Sequence, residues 1–297
     1  MVPEETVPLR LDVFLVSCLS HLSRRAIQEL IDTGQVLING RKGKKGQRLV
    51  AGDEVLILQP PASHLQPNPS LPVRLLYTDE DVVILDKPAG IPSHALRYTE
   101  TNTLANFLVA HFPELAQVGK SPLEAGLVHR LDTATSGLLV AARNPQAYAF
   151  LRKQFAQQKV YKEYLTLVEG KVTQAGDLTL SLTSSGRHRS RVFPTLPGRG
   201  EEAITHYTPL ETFSDLTLLR VTIATGVRHQ IRTHLAAVGH PVVGDTLYGK
   251  LITPFPRLFL HASVLEFIHP RSRQKAHFKS PLPVELQEVL KKIKKAL

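Results

Sequence analysis

Five prolines (Pro60, Pro61, Pro67, Pro69 and Pro72) interrupt a polar stretch of the 297-residue chain. Each removes an amide donor and fixes φ, so no helix or interior strand can run through such a stretch. Proline density also stiffens a connection between domains. The chain is thereby divided into a small unit (residues 1–59), a linker (residues 60–72) and a larger unit (residues 73–297). Hydrophobic residues make up 42% and charged residues 21% of the whole, enough apolar content for a sizeable core and too much for a disordered chain. There is no repeat at a fixed period and no low-complexity block.

Charge narrows the partners. Thirty-six Lys and Arg against 26 Asp and Glu give a formal charge of +10. Between Arg24 and Arg48 there are seven cations (Arg24, Arg25, Arg41, Lys42, Lys44, Lys45 and Arg48) facing Glu29 and Asp32. Four arginines and no acid lie between Ser185 and Gly200, and from Arg271 to the end eight cations, Arg271 included, face Glu285 and Glu288. Any one cluster reads as solvated surface, but three together favour nucleic acid over a membrane. No apolar run approaches the roughly 20 residues needed to span a bilayer. The acidic start Met1–Thr6 is unlike a signal peptide, so a soluble, cytoplasmic protein is expected. The single cysteine, Cys18, excludes an intramolecular disulfide and any zinc site needing two thiolates. Its place in the apolar run Leu11–Leu19 predicts an inert core thiol.

In the small unit, Leu11–Leu19 reads as a short helix. A second helix runs from Arg24 to Thr33, with Ser23 as its cap, Gly34 as its stop, and Ile27, Leu30 and Ile31 on one face. Gln35–Gly40 and Asp53–Leu58 read as strands, the first ending in a turn, with a glycine- and lysine-rich loop between them. Arg10-Leu-Asp12, Leu22-Ser-Arg-Arg25, Gln28, Leu30-Ile31, Gly34-Gln-Val36, Asn39-Gly40 and Gly52-Asp53 together resemble the small RNA-binding domain named after ribosomal protein S-four. The resemblance implies that the second helix and the following loop, with Arg24, Arg25, Arg41, Lys42, Lys44 and Lys45, present their cations to RNA.

The larger unit is richer in strands. Val73–Tyr77 and Val82–Leu85 flank the turn Thr78–Asp81 as a hairpin. Leu104–His111 is a helix capped by Thr103, and Asn144-Pro145 opens another with Tyr148, Leu151 and Phe155 on one face. Val160–Val168, Leu178–Leu182, Ala203–Leu210 and Leu216–Ala224 read as strands. Arg228–Val238 reads as a helix with a buried stripe of Ile231, Leu235 and Val238. The tail, with Leu282, Leu286, Val289, Leu290 and Ile293 at helical spacing, reads as a docking helix. The fold class is α+β: a long mixed, mainly antiparallel sheet with flanking helices, preceded by the small α/β unit.

The densest polar segment is Gly126-Leu-Val-His-Arg-Leu-Asp-Thr-Ala-Thr-Ser-Gly137, directly ahead of the apolar run Leu138–Ala142. Loops held on a rigid scaffold are common places for sites, although Thr and Ser also make ordinary turns. This segment resembles the signature of the RluA-type pseudouridine synthases. Three further segments agree in order: Leu85-Asp-Lys-Pro-Ala-Gly90, Val160–Gly170 around Tyr161-Lys-Glu-Tyr164, and Thr225-Gly-Val-Arg-His-Gln-Ile-Arg-Thr-His-Leu235. The last continues as Gly239-His-Pro-Val-Val-Gly-Asp245 and Tyr248-Gly249. The resemblance spans about residues 71–285, and with the first unit it looks like the large-subunit ribosomal RNA members.

What the resemblance implies is isomerisation of uridine to pseudouridine within RNA. Asp132 matches the catalytic aspartate, and a carboxylate can attack a sugar carbon or remove a sugar proton without a cofactor. Tyr164 matches a tyrosine that stacks on the target base. Tyr161 and Tyr164 are an odd number of residues apart, so a regular strand turns them to opposite faces; the motif selects Tyr164. Arg232 matches the cation that pairs with the aspartate and favours its ionised form. Arg130 matches an arginine that occupies the gap left by an extruded base. His129 is open between a phosphate contact and a structural hydrogen bond. Val227 stands where the family pattern has arginine, with Arg228 one place later, while Gln230 keeps its register; Arg228 and Gln230 are candidates for substrate binding. Asp86 replaces a frequent asparagine, and residues 194–202 look like an insertion.

No cofactor and no metal are expected: His229, His234 and His240 lack a ligand spacing with a companion carboxylate. The expected partner is RNA, from the large ribosomal subunit or a precursor ribosomal particle, and a monomer is the expected state. Two other readings are a non-catalytic RNA-binding or ribosome-assembly factor on the same scaffold, and the same isomerase acting on transfer RNA.

Overall fold

A computed structural model describes all residues other than 4–8, 20, 21, 23, 59–63, 185–190, 250–254, 256, 296 and 297. The backbone falls into two units, Met1–Gln66 with Leu96–Thr101, and Pro67–Ala95 with Asn102–Leu297. The expected cap Ser23, the prolines Pro60 and Pro61, Arg187, Arg189 and the side chain of Arg25 lie outside the described residues. Among those described, no helix is long and apolar enough to cross a membrane.

The smaller unit contains β1 (Leu9–Arg10), α1 (Leu11–Cys18), α2 (Arg24–Asp32), β2 (Val36–Ile38), β3 (Arg41–Lys42), β4 (Arg48–Leu49) and β5 (Val55–Ile57). β2 lies between β3 and β5, antiparallel to both. Leu11, Leu15, Ile27, Ile31, Val36, Ile38 and Leu49 close one apolar core. The Asn39 side chain donates to Asp53 Oδ1 at 2.7 Å and accepts from Glu54 N–H at 2.8 Å, while Asp53 Oδ2 accepts from Val50 N–H. That lock gives the Asn39-Gly40 and Gly52-Asp53 pairs a shared structural reason. Arg24, Arg41, Lys42, Lys44 and Lys45 are all exposed. Cys18 is exposed as well, against the expectation of a core thiol. It is the last residue of α1, past the level of Leu15, and Leu22 from the next segment takes the place in the core.

Among the described residues, the larger unit is built on ten strands: β6 (Arg74–Thr78), β7 (Val82–Lys87), β8 (Ser136–Ala142), β9 (Tyr161–Glu169), β10 (Gly176–Ser184), β11 (Val192–Thr195), β12 (Glu201–Phe213), β13 (Leu216–Ile223), β14 (Leu260–Ile268) and β15 (Lys275–Lys279). Their order is β11-β10-β12-β13-β9-β14-β8-β7-β6, with β15 added to β14. Every pairing is antiparallel except β8 with β14. The expected mixed, mainly antiparallel sheet is therefore present. The suspected insertion at 194–202 forms the end of β11, the connection to β12 and the start of β12.

Among the described residues, four α-helices flank the sheet: α3 (Leu104–His111), α4 (Pro145–Ala156), α5 (Gln230–Ala237) and α6 (Val284–Lys295). The Thr103 side chain accepts from Asn106 N–H while Asn106 Oδ1 accepts from Thr103 N–H, so α3 begins with a reciprocal cap. Asn144 caps α4 by accepting from Ala147 N–H at 2.8 Å, with Pro145 in the first turn. Leu286 and Val289 of α6 are buried against Leu167, Phe213, Leu218 and Phe259, which makes the tail a docked helix. The expected helix Arg228–Val238 is shorter at both ends. His229 has φ 54°, outside the right-handed helical region, so α5 starts at Gln230. Val238 lies past its last turn and is 41% exposed rather than part of the buried stripe.

Register brings the polar loop to its neighbours. The loop ends where Ser136 and Gly137 of β8 pair with His261 and Ala262 of β14, and Ala262 also faces Tyr164 of β9. Gly137 has φ +116°, and a Cβ there would come within 2.3 Å of Ala262 O and 2.6 Å of Ala262 N. Only a residue without a side chain lets the two backbones meet this closely.

Candidate active site

Loop 127–135 sits above the start of β8 and is pinned from below by Lys87. This side chain is fully buried at the end of β7, and its Nζ donates to Pro88 O (2.9 Å), Ile91 O (2.8 Å) and Thr133 O (3.3 Å). Burial lowers its pKa to about 7, against the pull of Asp132. Ser93 adds a second pin, donating to Leu131 O and accepting from Leu131 N–H. The residue between these anchors, Asp132, opens into a cavity of about 540 Å³ that Tyr164, Arg232, Lys162, His229 and Arg130 also line.

Arg232 is nearly buried, and its guanidinium joins two carboxylates. Nε and Nη2 donate to Asp245 Oδ2 and Oδ1 at 2.7 and 2.8 Å, and Nη1 donates to Asp132 Oδ2 at 3.0 Å. Burial opposes its charge, but Asp245 and then Asp132 more than offset it and raise its pKa above the ordinary value. Asp245 is itself fixed by the backbone N–H groups of Leu247 and Tyr248, at 2.8 and 3.1 Å. The fork thus grips Asp245 with two donors and offers one to Asp132. Among the described residues no hydrogen bond falls on Asp132 Oδ1.

On β9 the burial pattern separates the two tyrosines. Tyr161 is 42% exposed and Tyr164 is 7% exposed. Burial, and then the Asp132 charge, raise the Tyr164 pKa, so the phenol keeps its proton. Lys162 shares the Tyr164 face and donates to Thr225 O at 2.7 Å and Ala224 O at 3.3 Å, with its pKa lowered to about 8 by burial. It ties the segment ahead of α5 to the sheet.

The remaining candidates take different places. Arg130 is exposed at the cavity wall. His129 Nε2 accepts from Val140 N–H at 3.0 Å, and its ring stacks on Phe155 at 4.6 Å. Burial pushes its pKa down to about 3, the neutral form that an acceptor nitrogen requires. Gln230 Oε1 accepts from Thr225 Oγ1 and Val227 N–H, and its Nε2 donates to Ile204 O and Thr205 Oγ1. Its amide is fully engaged in bracing the start of α5. Arg228 is exposed and outside the cavity lining, while Val227 packs on the cluster of Leu182, Val192 and Ala203.

Asp245, Tyr248, Lys87 and Lys162 each lie within a segment of the family pattern, but no helical or strand period ties them to Asp132. Glu201 and Glu202 carry no motif and still border the cavity from exposed positions. Among the sequence candidates, Asp132, Tyr164, Arg232, Arg130, His129 and Gln230 all border this one cavity.

Residues 81–237 match the model of the RNA pseudouridylate synthase family, and residues 9–55 match that of the S4 domain. The chain belongs to the RNA pseudouridylate synthase family and is an isomerase acting on RNA. It is 39% identical over 304 residues to an uncharacterized RNA pseudouridine synthase of Chloroflexus aurantiacus, covering 99% of this chain and 92% of that one. It is 35% identical over 304 residues to the ribosomal large subunit pseudouridine synthase D of Nitrosomonas europaea, covering 99% and 87%. Among solved structures, human RNA pseudouridylate synthase domain containing 1 superposes with a TM-score of 0.58 at 23% identity, over 77% of this chain and 98% of that one. That likeness concerns the fold alone.

Proposed function

We propose that this pseudouridine synthase modifies specific uridines of large-subunit ribosomal RNA, with Asp132 as the group that acts on the sugar. The arrangement around Asp132 carries the reading: Oδ2 is held by Arg232, and no hydrogen bond from a described residue falls on Oδ1. The target base is flipped out of its stack, because neither the glycosidic bond nor ring carbon 5 can be reached inside a helix. Arg130, exposed at the cavity wall, fills the gap left behind. Uracil stacks on Tyr164. Oδ1 then attacks C1′ or takes the C2′ proton, and the N1–C1′ bond breaks with its electron pair going to N1. The base turns in place and C5 bonds to C1′ as the Oδ1–C1′ bond breaks or Asp132 returns the C2′ proton; the C5 proton leaves and N1 ends protonated, so nothing is gained or lost overall. Hydrolysis would need a flanking acid–base pair to deliver water.

Support for the ribosomal substrate comes from the relatives named as large-subunit enzymes and from the matched S4 domain. Tritium released from ribosomal RNA labelled at C5 of uracil tests the reading. Release from large-subunit RNA or its precursor particle is the expected result. Release only from transfer RNA would overturn the substrate, and release from neither would favour a pure binding factor.

The exposed cations Arg24, Arg41, Lys42, Lys44 and Lys45 of the smaller unit, with Arg25, are assigned to RNA phosphates. Each phosphate contact adds a counterion to the salt dependence of binding. Replacing Arg41, Lys42, Lys44 and Lys45 together by Gln is expected to lower the slope of log Kd against log salt by about 2 to 3 and to weaken binding. A salt titration giving the wild-type slope would remove these residues from the interface.

A further inference from the structure

One buried titratable side chain beside Asp132 has no task in the steps above. His229 precedes α5 with φ 54° and ψ 19°, a left-handed conformation uncommon outside glycine. Its Nδ1 lies 2.9 Å from the Tyr248 hydroxyl, and the two rings meet edge-on at 5.7 Å. The same hydroxyl accepts from Val192 N–H at 2.7 Å. A phenol oxygen that accepts from an amide still has its own hydrogen to place, and Nδ1 is the acceptor facing it. Assigning that hydrogen to the Nδ1 lone pair puts the ring proton on Nε2. Burial lowers the imidazole pKa against the opposing pull of Asp132, so the ring is neutral near pH 7 and has this single N–H.

Nε2 stands 3.8 Å from Asp132 Oδ2. That is too long for a hydrogen bond, yet an oxygen about 2.8 Å from both atoms would bond each at an ordinary length. Asp132 works at C1′ or C2′ of the sugar, so the sugar hydroxyl nearest its carboxylate is the 2′-hydroxyl; the ring oxygen on C1′ has no hydrogen to donate to a carboxylate. We propose that His229 Nε2–H donates to the 2′-hydroxyl of the target nucleotide while that hydroxyl donates to Asp132 Oδ2, making His229 the residue that selects ribose at the reacting sugar. The assignment rests on the isomerase reading of this cavity. The 2′-hydroxyl is the one group that distinguishes the two nucleic acids at a given sugar, and Tyr248 sets the proton that reads it.

The test uses the full chain and two forms of one ribosomal RNA fragment, with ribose or 2′-deoxyribose at the uridine that the wild type modifies. Removing the 2′-oxygen also changes the lability of the glycosidic bond, so the readout is the ribose-to-deoxyribose ratio of single-turnover rates, compared between proteins. His229→Gly removes the imidazole and accepts the left-handed backbone. Its ratio is expected to fall at least about 10-fold below the wild-type ratio, the scale of one lost hydrogen bond in a desolvated site. Tyr248→Phe, which keeps the ring and frees the tautomer, is expected to fall in between. Equal ratios in all three proteins would overturn the proposal, as a phosphate contact by His229 would predict. If His229→Gly does not fold, His229→Asn, also tolerant of the backbone, takes its place with the same expectation. Failure of the wild type to convert any uridine in the ribose fragment would instead sink the isomerase reading beneath it.

Discussion

Asp132→Asn is expected to lower single-turnover isomerisation at least about 1,000-fold, the scale of removing a group that makes or breaks bonds. The amide has the same shape, but it can neither attack C1′ nor accept the C2′ proton. The rest of the site should stay in place. Arg232 keeps its two bonds to Asp245, and the carbonyl oxygen of the new amide can still accept from Nη1, so the buried guanidinium is not left without partners. The melting temperature is therefore expected within a few degrees of wild type, and the Kd for ribosomal RNA within about threefold, roughly 0.6 kcal/mol. Tritium release and filter binding, measured on the same preparations, separate the two properties. Wild-type turnover in the variant would take the chemistry away from Asp132. Loss of RNA binding together with turnover would show that the carboxylate organises the site rather than acting on the sugar.

Local chemistry made some elements readable before the fold was known. Thr103 and Asn144 are side-chain caps, and their hydrogen bonds involve residues three positions along the chain. The β6–β7 hairpin follows from a polar turn between two apolar runs. The misreadings occur where a distant part of the chain decides. α5 starts after His229, whose backbone is left-handed and whose ring meets Tyr248, nineteen residues away. Exposure of Cys18 depends on where the core of the smaller unit ends, which the α1 pattern alone does not encode. β14 and β15 lie outside the strands expected from the sequence, although β14 joins β8 to β9 and so brings the Asp132 loop to Tyr164.

The same distinction applies to the site. Asp132, Tyr164 and Arg232 were assigned through the family pattern, and the odd spacing of the tyrosines agrees with one exposed and one buried ring. Asp245 could not be reached by any periodicity. It lies thirteen residues after Arg232, beyond α5, on a loop that closes only because Gly244 has φ +75° and no Cβ to strike Arg257 O, which would be 2.2 Å away.

That placement makes Asp245 the more sensitive of the two carboxylates for the fold. Its side chain is wholly buried, and the Arg232 side chain is only 7% exposed. Asp245→Ala leaves a guanidinium in a nearly dry site with one partner instead of two. Uncompensated buried charges of this kind cost about 3–5 kcal/mol. The urea midpoint of the larger unit is expected to fall accordingly, and with it the yield of folded protein. Asp245→Asn keeps one acceptor oxygen and should lose less. The consequence for turnover is separate. With the amide accepting only one of its two donors, the guanidinium can turn its two-pronged edge onto Asp132 and engage Oδ1 as well as Oδ2. The oxygen proposed to act on the sugar would then be tied up, and turnover by folded Asp245→Asn is expected to drop about 100-fold, with RNA affinity near that of wild type. If Asp245→Asn matched the wild type in both urea midpoint and turnover, Arg232 would need no second carboxylate to present Asp132.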